Sequence, residues 1–140
     1  LQDTTIQESY CESENIDNIT ISSLTVHESR LNKVTFSNSV LERLDFLHVD
    51  LLGCEMAATN SDEASWRNVY VSGCRASGLS LTNGLFEDVI FDNCRLDLTN
   101  FRYSKFKKVI FRDCYMEGAD FYHCTMSSVS FERCVLKDVE

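Results

Sequence analysis

Proline is absent from the 140-residue chain, and no apolar run is longer than a few residues. Such a sequence predicts no membrane-spanning segment, and its composition excludes collagen, coiled coil and disorder. Basic residues are also scarce: the chain has 13 Lys and Arg and 22 Asp and Glu, which gives a net charge of −9. This acidic excess argues against direct binding to nucleic acid or to an anionic membrane surface, both of which need basic protein surface.

The apolar residues, 44% of the chain, recur with a period of five. In the series of every fifth residue from Leu1 to Leu136, 27 of 28 positions are apolar, and they include all nine Phe, all three Met and the single Trp. None of the five Tyr lies in this series. That separation is expected if the series is buried, because a buried phenol needs a hydrogen-bond partner. The length and this core predict one domain over residues 1–140.

A second series, two residues earlier in each group of five, consists of small residues. From Thr4 to Val139, 23 of its 28 members are Ala, Val, Cys, Ser, Thr or Gly. A period of five belongs neither to a helix nor to a strand. It predicts short flat segments joined by corners, with four segments closing a coil of about 20 residues. About seven such coils, stacked as parallel strands, would give an all-β rod roughly 34 Å long.

Two stretches carry a recognisable motif, Thr99-Asn100-Phe101 and Ala119-Asp120-Phe121. Together with the period of five, they resemble the pentapeptide-repeat family, whose units combine a small residue, often Asp or Asn, and then Leu or Phe. The resemblance covers essentially the whole chain and implies a right-handed quadrilateral parallel β-helix. Only six positions before a central residue are Asp or Asn, so the resemblance depends on the apolar pattern rather than on the polar consensus.

Residues 20 apart should stack in ladders inside the coils. The aromatic ladders predicted in this way are Phe46, Trp66, Phe86 and Phe106, and, separately, Phe91, Phe111 and Phe131. Cysteine forms a further ladder, Cys54, Cys74, Cys94, Cys114 and Cys134. Side chains stacked in parallel about 4.8 Å apart neither converge on a metal nor reach disulfide geometry. We therefore interpret these cysteines as buried free thiols and expect a reducing compartment, the cytoplasm.

Two residues disturb the inward pattern. Glu14 falls in the small series, where an unpaired carboxylate is costly to bury. Ser61 replaces a large apolar residue. We expect an irregular first coil near Glu14 and a local weak point at Ser61, both of them tolerated defects rather than functional sites.

The sequence contains no recognisable catalytic machinery. Its three histidines, His27, His48 and His123, lack a third metal ligand or a catalytic partner, and no phosphate-binding Gly loop occurs. Because side chains on a convex rod point outward without forming a cleft, we predict no catalytic, cofactor-binding or metal site. The protein is accordingly predicted not to be an enzyme.

Function is therefore expected on the outer surface, where three features stand out. An acidic face is predicted at Asp3, Glu42, Asp62, Glu63, Asp120 and Glu140. A partner surface is predicted where Tyr70, Ile90 and Ile110 form one outward apolar column, with Leu52 nearby on the same side. A basic cluster occupies a single coil at Arg102, Lys105, Lys107, Lys108 and Arg112. Charge is also uneven along the chain, with −8 in residues 1–70 and −1 in residues 71–140.

Three functional hypotheses follow. The first is a non-catalytic scaffold that binds a protein partner through its outer faces. The second comes from the resemblance: some family members bind DNA gyrase by imitating duplex DNA, and the net charge of −9 fits a modulator of such a type II topoisomerase. The third is a β-helix domain cut from a larger bacterial effector, which would be secreted. Exposed coil ends or faces also predict association into a homodimer.

Overall fold

The computed structural model describes residues 3–140, so Leu1, the first member of the apolar series, lies outside the described residues. These residues form β-strands joined by tight corners, with no helix among them. Within residues 3–140 there is accordingly no helix able to cross a membrane. The strands are β1 Thr4–Gln7, β2 Tyr10–Glu12, β3 Thr20–Ile21, β4 Leu24–Asn32, β5 Val40–Leu41, β6 Asp45–Leu52, β7 Ser65–Ser72, β8 Leu85–Asp92, β9 Lys105–Arg112 and β10 Thr125–Glu132.

The strands stack in parallel with a constant register of 20 residues. The main sheet has the order β1-β4-β6-β7-β8-β9-β10, with β2 also paired to β4, and β3 pairs with β5. Single bridges continue the same register on the remaining sides, for example Arg75 with Arg95 and Ser80 with Asn100. The predicted quadrilateral parallel β-helix is confirmed. Its seven stacked levels are separated by six turns, so the prediction of seven coils counted levels rather than turns.

The corners have a common backbone conformation. Every fifth residue from Glu8 to Asp138 has a positive φ, with the exception of Ser23. The left-handed region is unfavourable for most side chains, and Gly and Asn tolerate it best. Only Gly53, Gly73, Gly78 and Gly118 supply glycine at these corners, so many corners hold strained non-glycine residues. Each left-handed residue turns the chain, and the five-residue spacing of these turns produces the sequence period.

The interior is filled by ladders of like side chains. The rings of Phe91, Phe111 and Phe131 stack at centroid distances of 4.9 Å and interplanar angles of 3° and 5°. Phe86 and Phe106 stack at 5.0 Å, and Phe101 and Phe121 at 5.1 Å. Phe91, Phe101 and Phe111 are at most 1% exposed. The predicted aromatic ladders are thus confirmed, and each fully buried ring contributes about 1.5–3 kcal/mol by leaving water.

Residues of the small series make hydrogen bonds to backbone groups in addition to filling the core. Ser104 Oγ donates to the carbonyl of Leu81, 23 residues earlier, at 2.8 Å, and it accepts from the N–H of Gly84 at 2.9 Å. Cys94 Sγ likewise donates to Val71 O at 3.4 Å. The same contact, from a small residue to the carbonyl of the inward residue 23 positions earlier, is made by Ser39, Cys54, Thr59, Cys74, Thr99, Cys114, Cys124 and Cys134. A small donor here satisfies a carbonyl that lies away from water.

Ser61 is fully buried, and its hydroxyl has no hydrogen-bond partner. The same coil contains Trp66, the bulkiest inward residue, together with the small Ala76. Trp66 packs against Phe46 at 5.1 Å and Phe86 at 5.5 Å, and its indole N–H is also unpaired. This coil therefore holds the largest inward side chain, Trp66, together with two small ones, Ser61 and Ala76. A buried hydroxyl without a hydrogen-bond partner lowers the free energy of unfolding, which agrees with the weak point expected at Ser61.

The expected irregularity near Glu14 is wrong. Asn15 bridges to Thr35 in the regular register, and the N–H of Thr35 donates to Glu14 O at 2.9 Å. The Glu14 side chain is exposed. The first coil lies at the end of the rod, where a carboxylate in the inward series still reaches water and therefore needs no buried partner.

We predict that Ser61→Ala raises the free energy of unfolding by about 1 kcal/mol, because it removes an unpaired buried hydroxyl with little change in volume. Ser104→Ala should lower it by about 1–3 kcal/mol, because that hydroxyl makes two hydrogen bonds. Urea unfolding of the two variants measures both values. A loss of stability in Ser61→Ala would contradict the assignment.

The corner geometry gives a second matched pair. Ala58 has φ 53°, whereas its neighbour Ala57 has no positive φ. Ala58→Gly should stabilise the protein by about 0.5–1 kcal/mol by relieving left-handed strain, and Ala57→Gly should destabilise it by a similar amount through chain entropy. Thermal unfolding distinguishes the two, and equal effects of the same sign would show that the corner is unstrained.

Candidate functional site

The seven cysteines are free thiols, and six of them donate a hydrogen bond to a backbone carbonyl of the preceding coil. Cys54, Cys74, Cys94 and Cys114 are buried as predicted, whereas Cys134, the last member of the ladder, is only half-buried because no further coil covers it among the described residues. Hydrogen bonds with its ladder neighbours, and then burial, raise the pKa of Cys74. The contact with Cys94, and then burial, raises that of Cys114. Burial also raises the pKa of Cys124. These three thiols therefore remain protonated, whereas hydrogen bonds with Cys74 lower the pKa of Cys54, and hydrogen bonds with Cys114 and Cys74 lower that of Cys94. Nothing in residues 3–140 groups three metal-ligating side chains.

We predict that the four buried thiols do not react with an aromatic disulfide reagent while the protein is folded. Only Cys11, Cys124 and Cys134, which are half-buried, should react at a measurable rate. All seven should react after denaturation. Absorbance of the released thiolate counts the reacting groups. Rapid native-state modification of more than three would refute the ladder as a closed structural feature.

The predicted partner surface lies on the wall formed by the later halves of β6, β7, β8 and β9, after the left-handed corner inside each strand at His48, Asn68, Asp88 and Lys108. Tyr70 pairs in register with Ile90, and Ile90 with Ile110, so these three side chains form one outward column. Leu52 lies on the same wall, one coil below Ser72. All four side chains are half-buried, which makes them less exposed than expected. Adjacent side chains of the ladder cover one another, so the column is a flat apolar stripe rather than a protruding ridge.

Ionic contacts frame this column. The Tyr70 hydroxyl donates to Asp92 Oδ2 at 3.1 Å, and Arg112 Nη2 contacts the same oxygen at 3.2 Å. The Arg112 guanidinium, with the Tyr70 hydroxyl, holds the pKa of Asp92 below its usual range. Asp92 therefore stays ionised at neutral pH and fixes the Tyr70 ring in place. Below the column, Arg30 pairs with Asp50 at 3.2 Å.

The predicted acidic face is divided into separate groups. Glu42, Asp62 and Glu63 lie together around a shallow depression that also holds Arg43. In the next coil the residues in register with Asp62 and Glu63 are the neutral Thr82 and Asn83, and the nearby Ser80, in register with Asn60, is also neutral. Asp120 and Glu140 follow only at the far end, and Asp3 lies exposed near the start. The acidic side chains do not form one continuous band.

Two carboxylates of the acidic face, those of Asp62 and Asp120, make local hydrogen bonds or ion pairs. Asp62 Oδ1 accepts from Ser80 Oγ at 2.6 Å and from the N–H of Thr82 at 3.0 Å. Asp120 Oδ2 pairs with Arg102 Nε at 3.3 Å, and its other oxygen accepts from the N–H of Tyr122. These two carboxylates therefore stabilise the stacking of coils in addition to supplying charge.

An exposed aromatic cluster on the same side was not predicted from the sequence. Tyr103 and His123 stack at 5.8 Å, and the Tyr122 ring lies edge-on to His123 at 4.1 Å. The Arg102 guanidinium lies 4.5 Å from the Tyr122 centroid. Tyr103 and Tyr122 are about half exposed. The sequence did contain a signal for this cluster: no Tyr lies in the buried series, so the Tyr rings are expected on the outside.

Two members of the predicted basic cluster form ion pairs, and the other three do not among the described residues. Arg102 pairs with Asp120 and Arg112 with Asp92. Lys105, Lys107 and Lys108 are exposed and make no ion pair within residues 3–140. Two of these lysines line a groove of about 470 Å³ on the outside of the rod. Its lining is Ser65, Arg67, Leu85, Phe86, Glu87, Lys105, Phe106, Lys107, Thr125 and Ser127.

Comparison with known proteins identifies the repeat. Residues 85–140 match the family model described as pentapeptide repeat region. No curated protein matches the chain. Within the part of the chain that the structure describes, the register found in residues 85–140 continues without interruption back to Thr4.

Solved structures of the same kind align over nearly the whole chain. The pentapeptide repeat protein Rfr23 from the cyanobacterium Cyanothece 51142 aligns with a TM-score of 0.51 and 12% identity, covering 94% of this chain and 90% of that chain. HetL, a pentapeptide repeat protein involved in heterocyst differentiation regulation in Nostoc sp. strain PCC 7120, aligns with a TM-score of 0.45 and 14% identity, covering 99% and 87%. Trypsin-treated QnrB1, a plasmid-mediated fluoroquinolone resistance protein, aligns with a TM-score of 0.39 and 10% identity, covering 99% and 90%. Of the three, the Rfr23 alignment supports the fold, and it supports the fold alone.

Proposed function

Because residues 85–140 match the family model of the pentapeptide repeat region and the same repeat continues through the described chain, we propose that this protein is a non-catalytic scaffold. It binds a protein partner through its outer faces. The closed rod supports this proposal, since its interior is filled by its own side chains and its variable chemistry lies outside. We further propose a cytoplasmic location, because cysteines stay as free thiols in a reducing compartment.

The observation that carries the proposal is the apolar stripe of Leu52, Tyr70, Ile90 and Ile110. Partner surfaces combine an apolar or aromatic centre with a polar rim. Here the Tyr70 ring is fixed by its bond to Asp92, so it is presented to a partner with little further loss of rotamer freedom. The stripe extends over four consecutive coils of the rigid wall, which provides a flat surface for contact.

We predict that the double variant Ile90→Lys/Ile110→Lys binds the partner at least about tenfold more weakly than the wild-type protein, because two charges would have to be desolvated at the contact. The matched control Thr82→Lys/Asn83→Lys adds the same charge on the acidic side. Partner capture and sedimentation velocity measure binding and oligomer size. Unchanged capture and size in the first variant would eliminate the stripe as the binding surface.

A second candidate function, imitation of DNA toward a type II topoisomerase such as gyrase, is favoured by the net charge of −9. The interruption of the acidic face at Ser80, Thr82 and Asn83 favours the scaffold instead. A gyrase supercoiling assay separates the two hypotheses. The scaffold proposal expects no inhibition at micromolar protein, and concentration-dependent inhibition would support the imitation.

A domain of a larger bacterial effector, the third hypothesis, would use the same surfaces, and the length of the parent gene distinguishes it.

A further inference from the structure

The groove between Leu85 and Lys107 crosses four coils on one side of the rod. One of its edges is the outward column Ser65, Leu85, Lys105 and Thr125, and the other is Arg67, Glu87, Lys107 and Ser127. The buried Phe86 and Phe106 lie between the two edges and form the floor. Four coils at about 4.8 Å spacing give a length of about 14 Å, which accommodates four or five extended residues.

Positive charge exceeds negative charge in this groove. Lys105 and Lys107 face each other across the groove, and Arg67 lies two coils below Lys107. None of the three has an ion-pair partner within residues 3–140, although the chain carries 22 acidic residues. Glu87, in register between Arg67 and Lys107, is the one acidic residue of the lining. The local charge is thus opposite in sign to that of the protein as a whole.

The same groove contains an exposed apolar side chain. Leu85 is 51% exposed, although its column neighbours Ser65 and Lys105 are polar or charged. Thr125 and Ser127 add hydroxyl groups at the upper end. A leucine beside two unpaired lysines offers one apolar contact and two sites for carboxylates.

From this arrangement we propose that the groove binds a short, extended acidic segment of a protein partner. An apolar side chain of the segment packs on Leu85, and its carboxylates pair with Lys105 and Lys107. The inference deepens the proposed scaffold function and rests on it, but it concerns a different surface from the Tyr70 stripe. Charge complementarity selects the occupant, because the groove is basic on an otherwise acidic rod.

A nucleic acid fits these residues less well than an acidic peptide. Phosphate binding draws its affinity from many basic contacts along a backbone, whereas the net charge of −9 repels a long polyanion. Glu87 in the lining and Asp88 at the adjoining corner add local repulsion. A short peptide with one apolar anchor avoids most of that repulsion.

The test uses a fluorescein-labelled hexapeptide of alternating Glu and Leu, with the corresponding Gln and Leu peptide as a neutral control, followed by fluorescence anisotropy. The double variant Lys105→Glu/Lys107→Glu should bind the acidic peptide at least about tenfold more weakly than the wild-type protein. Leu85→Ser should weaken binding by about threefold or more. The matched control Lys33→Glu/Lys137→Glu, which makes the same change in net charge at two exposed lysines outside the groove, should stay within about twofold.

Several outcomes would overturn the inference. They are no binding of the acidic peptide by the wild-type protein at about 1 mM, equal binding of the neutral peptide, or no effect of Lys105→Glu/Lys107→Glu. Tighter lysine-dependent binding of a short single-stranded DNA would assign the groove to nucleic acid instead. Lysine-dependent dimerisation in sedimentation velocity, with no effect of the peptide, would assign it to a second copy of the chain. If peptide binding fails while Ile90→Lys/Ile110→Lys still abolishes partner binding, this inference fails and the scaffold proposal stands.

Discussion

The structure depends on one constraint, a left-handed backbone residue at every fifth position. These residues turn the chain between flat segments, and four turns return it to a point one strand spacing above its start. Each residue then lies over the residue 20 positions earlier. The ladders of Phe91, Phe111 and Phe131, the paired backbone groups and the closed interior all follow from that register.

The same register determines what the surface can present. Neighbours on an outer face are residues 20 apart, so side-chain contacts recur at that interval, as in Arg30 with Asp50 and Arg112 with Asp92. An apolar stripe, an acidic group or a basic groove can therefore change from coil to coil without disturbing the core. This independence suits a scaffold, because substitutions on one face leave the inward ladders of side chains intact. The Tyr70 stripe and the groove beside Leu85 are two such surfaces on different sides.

Much of this architecture could be predicted because a single period controls it. The aromatic ladders and the thiol ladder required only the inward series, and the buried hydroxyl of Ser61 was apparent as a break in it. The surface was harder to predict. The pairing of Arg102 with Asp120, and the half-burial of Ile90, depend on side-chain rotamers and on cover by adjacent coils. The regular backbone at Glu14 depends on access to water at the end of the rod, which the repeat pattern alone does not encode.

The most direct test of the register is to lengthen the rod by a whole number of coils. A variant that carries residues 81–120 twice in tandem adds two coils with every inward contact repeated. Small-angle X-ray scattering should show a rod longer by about 10 Å, with the cross-section unchanged. An unchanged length, or a widened cross-section from a looped-out insertion, would contradict the account that a fixed 20-residue register builds this fold.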